Sequence, residues 1–247
     1  MGCNPHAGVP LQLKHRSVTF RRDLKDNGAR SKLGDMIYIC AGMPRSGSTW
    51  VYNAVRLLLL NAGVPDLAAG WVEDKALLLA HDNPIIKVHS FDAELALRAD
   101  VVLTSHRDLR DVAASLQRKF KTPFSTQLLH QMMADYGKWS QLAAYDLHYE
   151  DLLTDRAGEL KKIACALKLP SSIVARFPYA EILKEVDGEQ FSRGRSTALG
   201  HDSINLLHEG HITDGRHGSW KDFLPPEVVA AIENEFQGWM VAKRYIA

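Results

Sequence analysis

Three short stretches of this chain carry side chains that can hold an anion and move a group from it. The first is Gly42-Met43-Pro44-Arg45-Ser46-Gly47-Ser48-Thr49-Trp50. It follows the apolar run 36–41 (MIYICA) and leads into Val51, Ala54, Val55, Leu58 and Leu59, which recur at helical spacing. Strand, glycine-bearing turn and helix form a phosphate cradle: backbone N–H groups converge on the anion, and the helix dipole favours its charge. Ser48 and Thr49 add hydroxyl donors and suit an N-cap, and Arg45 supplies a cation. The glycine spacing is that of the G-x-x-x-x-G-K-[ST] loop, but Ser48 stands where that loop has its lysine.

The second stretch is Lys87-Val88-His89, at the end of the run 85–89 (IIKVH). Alternation along a strand sends Lys87 and His89 to one side. Burying such groups without partners is costly. A histidine titrates near neutrality and can take a proton from an attacking hydroxyl or amine. The alternative is a structural histidine at a strand end, with Lys87 reaching to water. The third stretch runs from His106-Arg107 to Ser115, behind the run 101–105 (VVLTS). An arginine at a strand end can grip a phosphate bidentately, and a serine two helical turns on can complete the grip. The alternative is a surface arginine paired with Asp111.

The elements that must position these groups read as alternating strands and helices. Strands are expected at 36–41, 85–89, 101–105 and 146–149. Helices are expected at 50–60, at 109–120 (Leu109, Val112, Leu116, Phe120), at 125–144, 156–167, 171–177 and 227–240. Alternation of this kind implies parallel pairing, right-handed crossovers and helices on both faces. Ligands of such sheets bind beyond the carboxyl ends of the strands, where all three stretches fall. The fold expected is α/β, a three-layer αβα arrangement on a central parallel sheet with P-loop-like topology. It spans residues 35–247 as one domain behind a basic arm, 1–34.

Taken in order, these motifs resemble those of sulfotransferases that use 3′-phosphoadenosine 5′-phosphosulfate (PAPS). Pro44-Arg45-Ser46-Gly47-Ser48-Thr49-Trp50 is similar to their 5′-phosphosulfate loop. Lys87-Val88-His89 resembles their Lys-x-His, in which the histidine is the catalytic base. Arg107 followed eight residues later by Ser115, with Asp111-Val112 between, resembles their 3′-phosphate motif. Tyr149-Glu150-Asp151 looks like the element that sets a tyrosine against adenine, and Trp50 is placed to stack there too. The stretch 210–221 resembles their closing glycine-rich loop at Gly215, Gly218, Trp220 and Lys221, but Thr213-Asp214 stands where the family carries Arg-Lys. Arg216, His217 or Lys221, or Arg193 and Arg195 upstream, would then meet the phosphate charge. The short dimerisation segment some members carry after this loop is replaced by Leu224-Pro225-Pro226, leaving the oligomeric state open.

The resemblance implies transfer of a sulfuryl group from PAPS to a hydroxyl or amine of a small-molecule acceptor, with PAP as product. His89 would be the base, Arg45 and Lys87 the cations on the transferring group. Ser46, Gly47, Ser48, Thr49, Trp50, Arg107, Ser115, Tyr149, Arg216, His217, Gly218 and Lys221 would hold the cofactor, and no metal is required. Two rivals remain: a P-loop kinase of small molecules, which lacks its lysine here, and a nucleotide-binding module without catalysis.

Composition narrows the field. The chain has 247 residues, 46% hydrophobic and 24% charged, with net charge +1. That balance offers no bulk field for nucleic acid. No apolar run approaches the roughly 20 residues of a membrane span. Cys3, Cys40 and Cys165 form no disulfide framework or CxxC pattern, which fits a reducing cytoplasm. His201, His208, His211 and His217 cluster near the C-terminus without cysteines or a helical His pair, a poor pattern for zinc.

Overall fold

The structure is a computed structural model that describes residues 35–121 and 123–247. The arm 1–34 and Cys3 lie outside the described residues. A five-stranded sheet runs in the order β2-β3-β1-β4-β5. Its strands are β1 (Tyr38–Cys40), β2 (Leu67–Trp71), β3 (Asn83–Lys87), β4 (Val101–His106) and β5 (Tyr145–His148). Every pairing is parallel. The principal helices are α1 (Ser48–Asn61), α2 (Lys75–Leu78), α3 (Ala93–Arg98), α4 (Leu109–Phe120), α5 (Thr126–Ser140), α6 (Tyr149–Thr154), α7 (Arg156–Ala166), α8 (Ser171–Val174), α9 (Tyr179–Gly188), α10 (Pro226–Glu235) and α11 (Gln237–Ala242). No described helix is long and apolar enough to cross a membrane.

The three central strands are buried along their whole length, as a parallel sheet covered on both faces requires. One face carries α1, α7 and α9 over a core containing Tyr52, Val55, Leu58, Leu160, Ile163 and Ile182. The other carries Trp139 of α5 and Leu95 of α3 against Ile39, Ile86 and Val102. A second cluster joins α4, α5, α10 and α11 through Val112, Leu129, Ile232 and Met240. Burying each such side chain contributes about 1.5–3 kcal/mol. That is what holds the strand ends, and the polar residues on them, in register.

The helix starts follow local chemistry. Asp108 caps α4 by accepting from Arg110 N (2.9 Å), and Ser125 caps α5 by accepting from Leu128 N (3.3 Å). The helix expected over 227–240 is two, because Phe236 leaves helical geometry at φ −113°, ψ 20°. The helix expected over 125–144 stops at Ser140. β2, α2, α3, α6 and α9 are not among the expected elements, and Tyr149, expected to end a strand over 146–149, instead opens α6.

Candidate active site

The turn from β1 into α1 is built around two close approaches. A Cβ on Gly42 would strike the Ser105 hydroxyl and come to 2.8 Å from Ser48 Cβ. Gly47 sits at φ 81°, where a Cβ would also meet the Tyr149 ring at 3.0 Å. Arg45 is left-handed as well, at φ 66°. Gly47, rather than Ser48 or Thr49, is the N-cap of α1, and no side chain caps the helix. The first bond back along the helix comes from Val51 N to Gly47 O (3.1 Å). The N–H groups of Ser48, Thr49 and Trp50 therefore have no intrahelical acceptor, which is the condition for holding an anion there. Ser46 is fully buried and its hydroxyl is spent inside the loop, on Met43 O (2.7 Å) and against Ser105 Oγ (2.7 Å). Trp50 donates its indole N–H to Asp187 of α9 (3.0 Å).

Beside this turn, β3 ends in Lys87, which is 4% exposed. Burial, with Arg45 nearby, draws its pKa down to about 7, against an opposing effect of Cys40. His89 lies half-buried just beyond. Its Nδ1 is 2.6 Å from the Gly42 carbonyl. A carbonyl only accepts, so Nδ1 carries the proton and Nε2 keeps its lone pair. Burial foremost, then Lys87, lowers the His89 pKa to about 3, so the ring is neutral at pH 7. Both residues face the Trp71 indole, although the strand expected over 85–89 ends at Lys87 and His89 lies beyond it.

Arg107, at the end of β4, is 3% exposed. Its guanidinium covers the Tyr149 ring at 4.2 Å, donates to Arg216 O (2.8 Å) and lies 3.8 Å from Asp111. Its Nε is buried and has no hydrogen-bond partner. Ser115, on α4, receives Arg45 Nε at 2.9 Å, while Arg45 Nη2 donates to His211 O (2.8 Å). Burial and Arg107 together lower the pKa of Arg45. Two guanidiniums, a buried ammonium and an uncapped helix start thus converge with one neutral imidazole.

The segment 201–222 closes over these groups. Tyr149 donates to Gly215 O (2.7 Å), Lys119 to Gly210 O (3.2 Å) and Arg118 to Ser219 O (2.9 Å). Buried Asp111 anchors the far end by accepting from Gly218 N (2.7 Å), Ser219 Oγ (3.0 Å) and Trp220 N (3.0 Å). Of the residues expected to meet phosphate here, Arg216 is turned outward onto Asp214 (2.8 Å), and the Gly218 N–H is the one Asp111 already takes. His217 faces Asp111 and Glu150 at 3.7 and 3.5 Å, and Lys221 lies 5.6 Å from the Trp220 ring. They line an open cleft of about 450 Å³ with Arg110, His148 and Tyr245. Asp111, Glu150 and His217 bring ligand atoms within 4.8 Å of one another. A cation there would have to displace donors that Asp111 already holds.

Trp71 and three histidines of the closing segment belong to the site, although no motif marked them. His201 stacks on Trp71 (5.8 Å, 16°), His208 lies 5.7 Å from His201, and His211 lies 4.3 Å from His208. The clustering of histidines was the available signal; their meeting with Trp71 depends on the path of the loop. Burial is the main cause that lowers His208 to about 4 and His211 to about 2. In the unfolded chain these rings titrate near 6.5. As pH falls below that value, the unfolded chain binds protons that the fold refuses, so stability is lost. The melting temperature is expected to drop between pH 7 and pH 5, and less so for His211→Gln. An equal drop in both by scanning calorimetry would mean that His211 is not among the groups responsible.

Comparison with solved structures places this arrangement. The chain aligns with retinol dehydratase in complex with androsterone and the inactive cofactor PAP (TM-score 0.50, 18% identity, 83% of this chain and 80% of that one). It also aligns with retinol dehydratase bound to retinol and PAP (0.54, 17%, 84% and 82%). A third match is mouse sulfotransferase SULT7A1 complexed with PAP (0.54, 16%, 83% and 84%). No family model matches the chain, and no curated protein does. At such identities the likeness establishes the fold alone, which this chain shares with retinol dehydratase and with the mouse sulfotransferase.

Proposed function

We propose that a chain with this fold and this cleft is a sulfotransferase, taking a sulfuryl group from PAPS and giving it to a hydroxyl or amine of a small molecule. One observation carries the reading. The uncapped start of α1 adjoins Arg45, which lies near buried Lys87 and buried Arg107, and His89 beside them is neutral with its Nδ1–H spent on Gly42 O, so that Nε2 is its basic atom. The buried, unpartnered Nε of Arg107 supports a second anion subsite next to the first.

The donor would bring an activated sulfuryl group on a phosphosulfate anhydride. The chain's residues do the rest. The N–H groups of Ser48, Thr49 and Trp50, with the Ser48 and Thr49 hydroxyls, hold the 5′-phosphate. Arg107 and Ser115 hold the 3′-phosphate, and Tyr149 with Trp50 flanks the base. Arg45 and Lys87 offset negative charge at the reacting end, which is where electrostatic preorganisation has most effect. His89 Nε2 takes the acceptor's proton, while Gly42 O holds the ring's orientation through Nδ1. Ser46 acts through the shape of the loop, since its hydroxyl is already committed.

Calorimetric titration with PAP, ADP and adenosine 5′-phosphosulfate tests the reading. Hydrogen bonds to a charged group contribute about 1.5–3 kcal/mol, so PAP is expected to bind roughly 10–150-fold more tightly than either nucleotide lacking the 3′-phosphate. Equal or stronger binding of ADP, above all with Mg²⁺, would replace this reading with a kinase.

A further inference from the structure

Trp71 ends β2 and is the register partner of Lys87 in the parallel ladder, so the two side chains emerge on the same face. The Lys87 ammonium lies 4.5 Å from the indole centroid, over the ring. The His89 ring meets the same indole edge-on, at 5.1 Å and 72°. His201, from far along the chain, stacks on it. One ring therefore touches the candidate cation, the candidate base and the closing segment. Among the described residues no carboxylate pairs with Lys87, although the side chain is almost wholly buried. The groups that face it are Cys40 of β1, Arg45 of the phosphate turn, His89, and His201 and His211 of the closing segment. None of these is an anion at neutral pH: burial pushes the Cys40 thiol up to about 12, and the histidines are neutral. A buried ammonium without a counter-ion is costly. The negative face of an indole is what remains to favour it, and that attraction is strongest where water is excluded.

We propose that Trp71 is a positioning residue of the transfer site, its indole face serving in place of a carboxylate to hold the Lys87 ammonium and orient the His89 ring. Only the naming of the reaction rests on the sulfotransferase reading. A carboxylate at this position would neutralise the cation and repel an anionic donor. An indole keeps the charge available. A tryptophan present merely to fill space would act through its volume, whereas a cation–π contact acts through the electron density of its ring, and fluorination separates the two.

The test places mono-, di- and trifluorotryptophan at position 71 of the full chain, which drains the ring face with little change of shape. The Lys87 titration is followed by carbon-13 NMR of the lysine ε-methylene, its signal identified by loss in Lys87→Met. The titration midpoint is expected to fall stepwise, by about one pH unit across the series. The pH at which PAP affinity begins to decline should fall in parallel. A midpoint unchanged across the series overturns the proposal, whatever PAP does. A falling midpoint with an unmoved PAP profile overturns the positioning role. Failure of the unsubstituted chain to bind PAP would instead overturn the proposed function, while the lysine titration, read without any ligand, still decides the contact between Lys87 and Trp71.

Discussion

Replacing His89 by alanine is expected to lower the rate of sulfuryl transfer by two to four orders of magnitude, the range that a positioned general base contributes. PAP affinity should change by less than about threefold, because the anion is held by other groups. The split follows from the geometry. The imidazole spends Nδ1–H on the Gly42 carbonyl (2.6 Å) and keeps Nε2 as its basic atom. Alanine removes both functions, so His89→Asn is the necessary companion. Its amide nitrogen can still donate to Gly42 O, keeping the turn intact while offering no base. If asparagine is as slow as alanine, the loss belongs to Nε2; if asparagine restores turnover, the histidine was only bracing the loop. A rate within tenfold of the unsubstituted chain for both variants would remove His89 from the mechanism. The pKa of about 3 bears on the pH profile. Burial foremost, then Lys87 and, more weakly, Arg45 disfavour a proton on the ring, so the base is ready at neutral pH but weak. An anionic donor between those cations would offset their charge and raise the pKa towards working pH. The basic form is present above that raised pKa, so the rate should fall on the acid side. That acid limb should lie at higher pH in kcat, which reports the bound state, than in kcat/KM.

How much of this was legible beforehand depended on whether a signal was local. Residues 36–41 read as a strand because an unbroken apolar run is what a strand covered on both faces needs, and Tyr38–Cys40 is such a strand. Lys87 stood out as a charge closing an apolar run, and Arg107 as a cation at the end of a strand leading into a helix. β2 escaped because an edge strand reading Leu-Ala-Ala-Gly-Trp is half-exposed and rich in small residues that favour strands little. Missing β2 meant missing where Trp71 sits, since only the ladder sets it beside Lys87. The fate of Arg216 was illegible for another reason. A cation within a glycine-rich loop resembles a phosphate ligand, yet Asp214, two residues back, captures its guanidinium. The helix over 227–240 kept its apolar period across Phe236, so periodicity could not reveal the break there. Contacts between distant segments, such as Arg45 with His211 O or Tyr149 with Gly215 O, exist only once the closing loop has chosen its path.

Arg107→Ala should weaken PAP binding by about 30-fold or more, since truncating one partner of a buried charged contact costs 2–5 kcal/mol. The size of the loss is less telling than its selectivity. ADP lacks the 3′-phosphate, so its affinity should change little, and the preference for PAP should collapse. Arg107 is buried, tied to Arg216 O and packed over Tyr149, so its removal also loosens the closing segment and lowers stability. That effect would weaken both nucleotides alike. Comparing the two separates reading of the 3′-phosphate from support of the loop. Arg107→Lys sharpens the comparison. Lysine keeps the charge but loses the planar fork and the ring stack, so it should recover part of the PAP affinity and little of the packing on Tyr149. An equal loss for PAP and ADP in Arg107→Ala would mean that this arginine supports the loop rather than reading the phosphate. The 3′-phosphate would then have to be met from the cleft lined by Arg110, His217 and Lys221.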